Sequence, residues 1–251
     1  MSDYDDPDAL LWQTKEGWQP GDLKTIRSEE VFIGPQSGSL DIRGNDFEAA
    51  LLLNKKIFAF HWSDCGGSVG QHLVRRVSRN NHEALQGMCK SVEKPITPNE
   101  TLEEHFSEVL SLLASGHYLL ALEEIPADSY VVEFLSTEGG NLEATNFYPG
   151  FGAMLATQPF SKLSSTIVDR FSEKIARGAR PFVVTISAED AWCEFIIDGH
   201  HKIPAYRRTN VPILRLNIIR RNSERLPLID LLEFVPNTGG FRKSLVVNRR
   251  V

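Results

Sequence analysis

Apolar positions along this chain follow two rhythms: short runs suited to strands, and stripes spaced three or four apart that suit helices. The clearest stripe is Leu163, Ile167, Phe171 and Ile175, which fall four apart and line one helical face. Ser161 or Ser164 can cap its start, Gly178 follows its end, and Pro181 stands just beyond. "PFVVTIS" then predicts a strand, "AEDA" a tight connection, and "WCEFII" a second strand ending at Asp198-Gly199. A short helix is expected from about His200 to Arg208. Pro204 falls early in it, where a missing N–H does least harm. "NVPILRLNIIRR" closes the unit as a strand.

The first half is less regular. "EEVFIG", residues 29–34, predicts a strand, and Gly34-Pro35 with "QSGS" a turn. "DFEAALLLNKKIFAFHW" predicts a short helix followed by a buried strand over 57–62. After it, "SDCGGSVGQHLVRRVSR" predicts a Gly-rich loop entering a basic helix. Residues 91–100, with two prolines, predict a connector. Thr101-x-x-Glu104 has the form of a capping box opening a helix that carries Leu102, Phe106, Val109, Leu110 and Leu113, with Gly116 as its stop. "HYLLALEEI", "YVVEFLS" and "LEATNFY" predict strands, with "TEGGN" as a turn. An irregular, acidic N-terminal arm packed by Trp12 and Trp18 is expected before them. The chain shows no internal repeat.

Composition narrows the class. The 251 residues, 41% hydrophobic and 24% charged, are enough to bury a real core. A net charge of -6 offers no global basic field for nucleic acid or for an anionic membrane. No apolar run is long enough to span a bilayer, and the acidic N-terminus lacks the pattern of a signal peptide. Cys65, Cys89 and Cys193 match no metal or disulfide spacing, so a reduced, cytoplasmic setting is expected.

Candidate chemistry concentrates in "IIDGHHKIPAYRR", residues 196–208. A helix N-terminus leaves N–H groups unpaired and carries partial positive charge, so anions settle there. Gly199 lets the backbone turn sharply beside a ligand. His200, His201 and Lys202 add donors or cations on the first turn, and Arg207 lies one turn on. Asp198 can cap the helix, coordinate Mg²⁺ or act as a base. Successive helical residues diverge by about 100°, so the two histidines cannot both face one ligand squarely. One is expected to point into the site and the other to pack or cap.

The pieces "IVDRFSEKIARGARPFVVTIS", "EFIIDGHHKIPAY" and "NVPILRLNII" resemble, in that order, the ParB/sulfiredoxin-like fold, over about residues 163–221. "DGHH" is most similar to the branch containing the free-serine kinases, where an Asp-Gly-His motif grips nucleotide phosphates. It also resembles DGHHR-bearing proteins of undefined activity. The resemblance implies ATP or another nucleotide with Mg²⁺, held by Gly199, His200, His201, Lys202 and Arg207. Asp198 would be the metal ligand, and Asp198 with His201 catalytic. Lys202 stands where the family usually has Arg, and Pro204 where most members have none. The sulfiredoxin cysteine is replaced by His200, and too few residues follow the last strand for a helix-turn-helix module.

The expected architecture is α/β, a mixed sheet with flanking helices. Residues 161–251 would form the ParB/sulfiredoxin-like unit, ending in a basic tail, packed on an N-terminal α/β region over 1–160. One continuous body is equally compatible. The expected function is a nucleotide-binding phosphotransferase acting on a small hydroxyl-bearing molecule, with Glu123, Glu124 or Glu143 as candidate bases. The alternative is a non-catalytic binding protein of the same fold with a protein partner, for example in a phage, defence or toxin–antitoxin setting.

Residues 64–72, "DCGGSVGQH", form a second candidate, a glycine cradle with Cys65 near His61 and His72. A plain Gly-rich turn is the simpler expectation, because Gln71 stands where a phosphate loop needs Lys. Arg75, Arg76 and Arg79 are expected on a solvated helix face. His105 and His117 have no ligand partner at suitable spacing.

Overall fold

The computed structural model describes residues 23–35, 38–45, 48–63, 70–76, 91–133, 136–137, 141–147, 152–189, 191–238 and 240–249. In chain order the strands are β1 (Lys24–Ile33), β2 (Leu40–Asn45), β3 (Glu48–Leu53), β4 (Lys56–Ser63), β5 (Gln71–Arg76), β6 (Gly116–Ile125) and β7 (Val131–Val132). They continue with β8 (Ser136–Thr137), β9 (Leu142–Phe147), β10 (Ala153–Leu155), β11 (Val183–Ala188), β12 (Cys193–Asp198) and β13 (Ile213–Arg220). The helices are α1 (Leu102–His105), α2 (Ser107–Leu110), α3 (Ser165–Ala176), α4 (Lys202–Thr209), α5 (Leu228–Phe234) and α6 (Phe241–Asn248).

Among the described residues the strands form two sheets. The seven-stranded sheet runs β1-β6-β13-β11-β12-β10-β7 and mixes parallel with antiparallel pairs. The six-stranded sheet, β2-β3-β4-β5-β9-β8, is antiparallel throughout. The α/β reading with a mixed sheet and flanking helices therefore holds. Strands from both sides of residue 160 share the larger sheet: β1, β6, β7 and β10 precede it, and β11, β12 and β13 follow. No helix among the described residues is long and apolar enough to cross a membrane.

Alternation along the strands sorts the core into three clusters. One joins the sheets, bringing Leu51, Leu53 and Leu73 against Leu120, Ile186, Phe195 and Leu216, with Leu102 and Phe106 closing it. A second lies where α3 and α4 cover part of the larger sheet, with Phe171, Ile175, Ile203 and Tyr206 on Val183, Ile196 and Ile213. The third puts Leu231, Phe234, Phe241 and Leu245 of α5 and α6 on Phe60, Trp62 and Val74 of the smaller sheet. The expected basic tail is thus largely structural. Arg249 donates to Glu48 at 2.8 and 2.6 Å.

The helix–strand–strand–turn–helix–strand order expected over 163–221 is present as α3, β11, β12, α4 and β13. The capping box forms both bonds, Glu104 N–H to Thr101 Oγ1 at 3.0 Å and Thr101 N–H to Glu104 Oε2 at 2.9 Å. The single helix expected there breaks at Phe106 into α1 and α2, and Gly116 opens β6 instead of stopping a helix.

Two helix expectations are overturned. "EAALLL" is β3, paired with β2 and β4 at its two edges and buried at all six positions because one face lies in the core between the sheets and the other under α5 and α6. Pairing of that kind overrides the helix preference of Ala and Leu. Asn54 and Lys55, at φ 51° and 64°, make the two-residue turn that joins it to β4. "QHLVRR" is β5, not a basic helix. Gln71 therefore opens a strand, and Gly66 and Gly67 of the expected glycine cradle lie outside the described residues. Arg75 is fully buried, not on a solvated helix face. Trp12, Trp18, Cys65, Arg79, Cys89 and most of "TEGGN" lie outside the described residues.

Candidate functional site

β12 delivers Asp198 to the edge of the second core cluster, beside Val184 of β11. The chain then turns through Gly199 at φ +123°, and a Cβ there would sit 2.9 Å from both methyls of Val183. Glycine is required on two counts, conformation and space. Gly199 O accepts the N–H groups of Lys202 and Ile203 at 2.8 and 2.9 Å. Those are two of the first-turn donors on which an anion site would rely. Pro204, third in α4, has no N–H to lose. Tyr206 anchors the next turn by donating to Pro181 O at 2.8 Å.

The side chains of the motif reach protein groups. Lys202 is buried, donates to Phe182 O at 2.8 Å, and forms an ion pair with Asp198. Its ammonium also lies 5.8 Å from the centre of the Phe171 ring. Asp198 keeps 21% of its side chain exposed. His200 is buried, and its Nε2 accepts the Thr157 N–H at 3.1 Å. The Thr157 hydroxyl donates to Ile196 O at 2.6 Å, fixing that residue on β12. His201 stands at the N-cap position of α4, and its Nε2 accepts the Ser164 N–H at 3.1 Å. Arg207 donates to Ser129 O at 2.7 Å. Burial holds its guanidinium below the ordinary value, against the pull of Asp128.

The two histidines, both just ahead of α4, each bond the backbone where one was expected to point into the site, and they diverge toward the two ends of one segment, residues 157–164. Its middle is held by Glu133, which accepts the Phe160 N–H at 2.8 Å. Burial raises the Glu133 carboxyl above the usual carboxylate value, opposed by backbone bonds from Phe160 and Ser161 and by Arg75. Comparison with protein-family models, curated proteins and solved structures gives no match.

The candidate bases are engaged with cations of the fold. Glu123 is paired with Arg215, three strands from β12, which is about 14 Å at the usual strand spacing. Arg215 also pairs with Glu194, which accepts the Thr185 hydroxyl at 2.6 Å. Glu124 pairs with Arg180 and Lys24, and Glu143 with Arg75. No group of three or more His, Cys, Asp or Glu suited to a metal is found among the described residues.

The second candidate separates in the same way. His61 and His72 occupy adjacent strands, with Trp62 opposite His72 and Leu73 opposite His61, so their rings face opposite sides of the sheet. His61 bonds Gln71 Oε1 at 2.7 Å, and burial pushes its pKa down to about 4. The Cys193 thiol donates to the same Gln71 oxygen at 3.2 Å and is pushed up by burial. His72 stacks on Trp62 with ring centres 4.9 Å apart and lies 2.9 Å from the Ser244 hydroxyl. His105 meets Glu100 at 3.1 Å, a partner that its local spacing does not announce.

Sequence reasoning missed Thr157, the part of Ser164 beyond that of a helix cap, and Glu133. The first two act through backbone N–H groups, which carry no residue signature. Glu133 lies 27 residues from the N–H it receives.

Proposed function

We propose that this chain is a non-catalytic binding protein built on a ParB/sulfiredoxin-like unit, with the Asp198–Lys202 turn as a structural keystone. The observation that carries this reading is the engagement of the turn. Asp198 holds Lys202, Lys202 holds Phe182 O, and His200 and His201 hold Thr157 and Ser164. A phosphate site needs donors aimed outward at the ligand. Here two first-turn N–H groups and the lysine ammonium are spent inside the fold. The candidate bases are committed to arginines, which supports a role without turnover.

One observation favours the nucleotide reading, in which a phosphotransferase uses ATP or another nucleotide with Mg²⁺ on a small hydroxyl substrate. The Asp198 carboxylate keeps its partial exposure at the mouth of α4. In that reading Asp198 leaves Lys202 to take the metal, and the freed ammonium meets phosphate.

Calorimetric titration with ATP, ADP, CTP and GTP, each with and without Mg²⁺, separates the two. The binding-protein reading expects no saturable heat from any of them. Saturable binding to wild type, absent from a folded Asp198→Asn variant, would overturn it in favour of the enzyme.

A further inference from the structure

β1 closes one side of the seven-stranded sheet, and along its ten residues the outer edge pairs with no strand among the described residues. The backbone–backbone bonds that residues 24–33 make with described residues all go to β6. An open edge of this length is a template for another strand, which proteins ordinarily blunt with bulges, lysine or proline. Here Lys24 and the bulge beside Ile26 stand near the start, and Arg27 to Ile33 run in unbroken register with β6. Of the four exposed large hydrophobic side chains among the described residues, Ile26 at 48% and Phe32 at 59% lie on this strand.

Charge along β1 is divided. Lys24 and Arg27 stand in its first half, Glu29 and Glu30 in its second, so a reversed copy lays basic against acidic. Val31 and Ile33 point into the core between the sheets. Alternation therefore places Arg27 and Glu29 on that side, and Ser28, Glu30 and Phe32 on the other. Arg27 and Glu29 form an ion pair and are tied to the start of α1. Arg27 donates to Glu100 O at 2.8 Å, and Glu29 accepts the Leu102 N–H at 2.7 Å. Lys24 and Glu30 keep ion pairs with Glu124 and Arg221, yet their side chains stay 75% and 61% exposed.

We infer that β1 is the docking edge for a second copy of this chain, antiparallel about a two-fold axis at Ser28, which joins the two larger sheets into one. Antiparallel pairing sets residues of the same face opposite each other, so the axis passes between a residue and its own copy. Centred on Glu29 or Glu30, it would set carboxylate against carboxylate; centred on Arg27, guanidinium against guanidinium. Like charges directly opposite are destabilising. Centres nearer either end shorten the pairing. Centred on Ser28, it sets hydroxyl against hydroxyl and, twice, Arg27 against Glu29 of the second copy. The two existing ion pairs then lie side by side with their charges alternating. Ile26 of one copy and Phe32 of the other fall at the same end, where pairing covers apolar surface. The inference concerns β1 alone and does not rest on what the Asp198 turn binds.

Sedimentation of the full chain against concentration tests the pairing. One strand pair is small beside a standard interface of about 1,600 Å², so a reversible dimer is expected, growing in up to about 100 μM. Ser28→Lys, at an exposed position, sets two ammonium groups across the axis. That variant should stay monomeric over the same range, with its urea unfolding at low concentration unchanged. In the Ser28→Cys variant the facing Cα atoms would lie about 4.5–5.5 Å apart, within disulfide reach. Mild oxidation should link two chains through position 28, mapped by peptide mass spectrometry, with wild type and its own three cysteines as the control. A wild-type chain that stays monomeric throughout would overturn the inference and leave β1 to a strand of another protein. So would a dimer that survives Ser28→Lys, or one in which position 28 does not cross-link.

Discussion

Lys202 and Asp198, four residues apart across the Gly199 turn, close an ion pair in which the ammonium is 4% exposed and the carboxylate 21%. The same ammonium donates to Phe182 O. The strand end, the helix start and the segment entering β11 are thus tied at one charged point. A charge so buried stays only while its partner stays. The turn is therefore a place where a substitution reads out in stability before it reads out in binding.

Gly199 gives the sharpest steric test. Alanine there must adopt φ +123° and press its methyl against Val183 at 2.9 Å. Gly199→Ala should cost about 2 kcal/mol or more, the sum of backbone strain and overpacking. In a Val183→Ala background, itself destabilised by the loss of two buried methyls, Gly199→Ala should cost less than in wild type, because the contacts at 2.9 Å are gone while the strain and a 3.1 Å contact to Cβ remain. Urea unfolding of the single and double variants reads both.

Arg75 and Glu143 make a second test, on the other sheet. Arg75 is fully buried, also donates to Ala156 O at 3.1 Å, and is held down to about 10 by burial despite Glu143. Glu143→Ala removes the carboxylate bonded to the buried guanidinium and should cost about 3 kcal/mol. Replacing both residues, as Arg75→Met/Glu143→Leu, should cost less than that single change, measured by the same unfolding titrations.

His61 sets a pH dependence. Its folded pKa of about 4 lies below the ordinary value near 6.5, so between those values the unfolded chain binds the proton that the folded chain refuses. Stability from the neutral ring is complete above about pH 6.5 and is lost as pH falls toward 4, by on the order of 3 kcal/mol. His61→Gln should flatten the stability–pH curve over that window. A variant curve parallel to wild type would remove His61 as the cause.

Much of the second half was legible because its signals are local. The four-apart stripe of α3, the apolar runs of β11 and β12, and Pro204 in the first turn of α4 all act within a few residues. β3 and β5 were not legible, since "EAALLL" and "QHLVRR" become strands through neighbours on both sides. The burial of Arg75 is decided by Glu143, 68 residues away. The motif itself stood out in the sequence, but the inward commitment of its histidines did not. Their partners are backbone N–H groups 43 and 37 residues away, and no side-chain pattern announces a backbone donor.

The most direct measurement is a double-mutant cycle at the keystone: the unfolding free energies of wild type, Asp198→Ala, Lys202→Met and the double variant. Asp198→Ala should cost about 3 kcal/mol, the low end for breaking a buried pair because the carboxylate is partly exposed. The double variant should be more stable than the sum of the single losses requires, with a coupling of about 1–3 kcal/mol. Single variants each as stable as wild type, with no coupling between them, would contradict the keystone and return Asp198 and Lys202 to the role of groups held ready for a ligand.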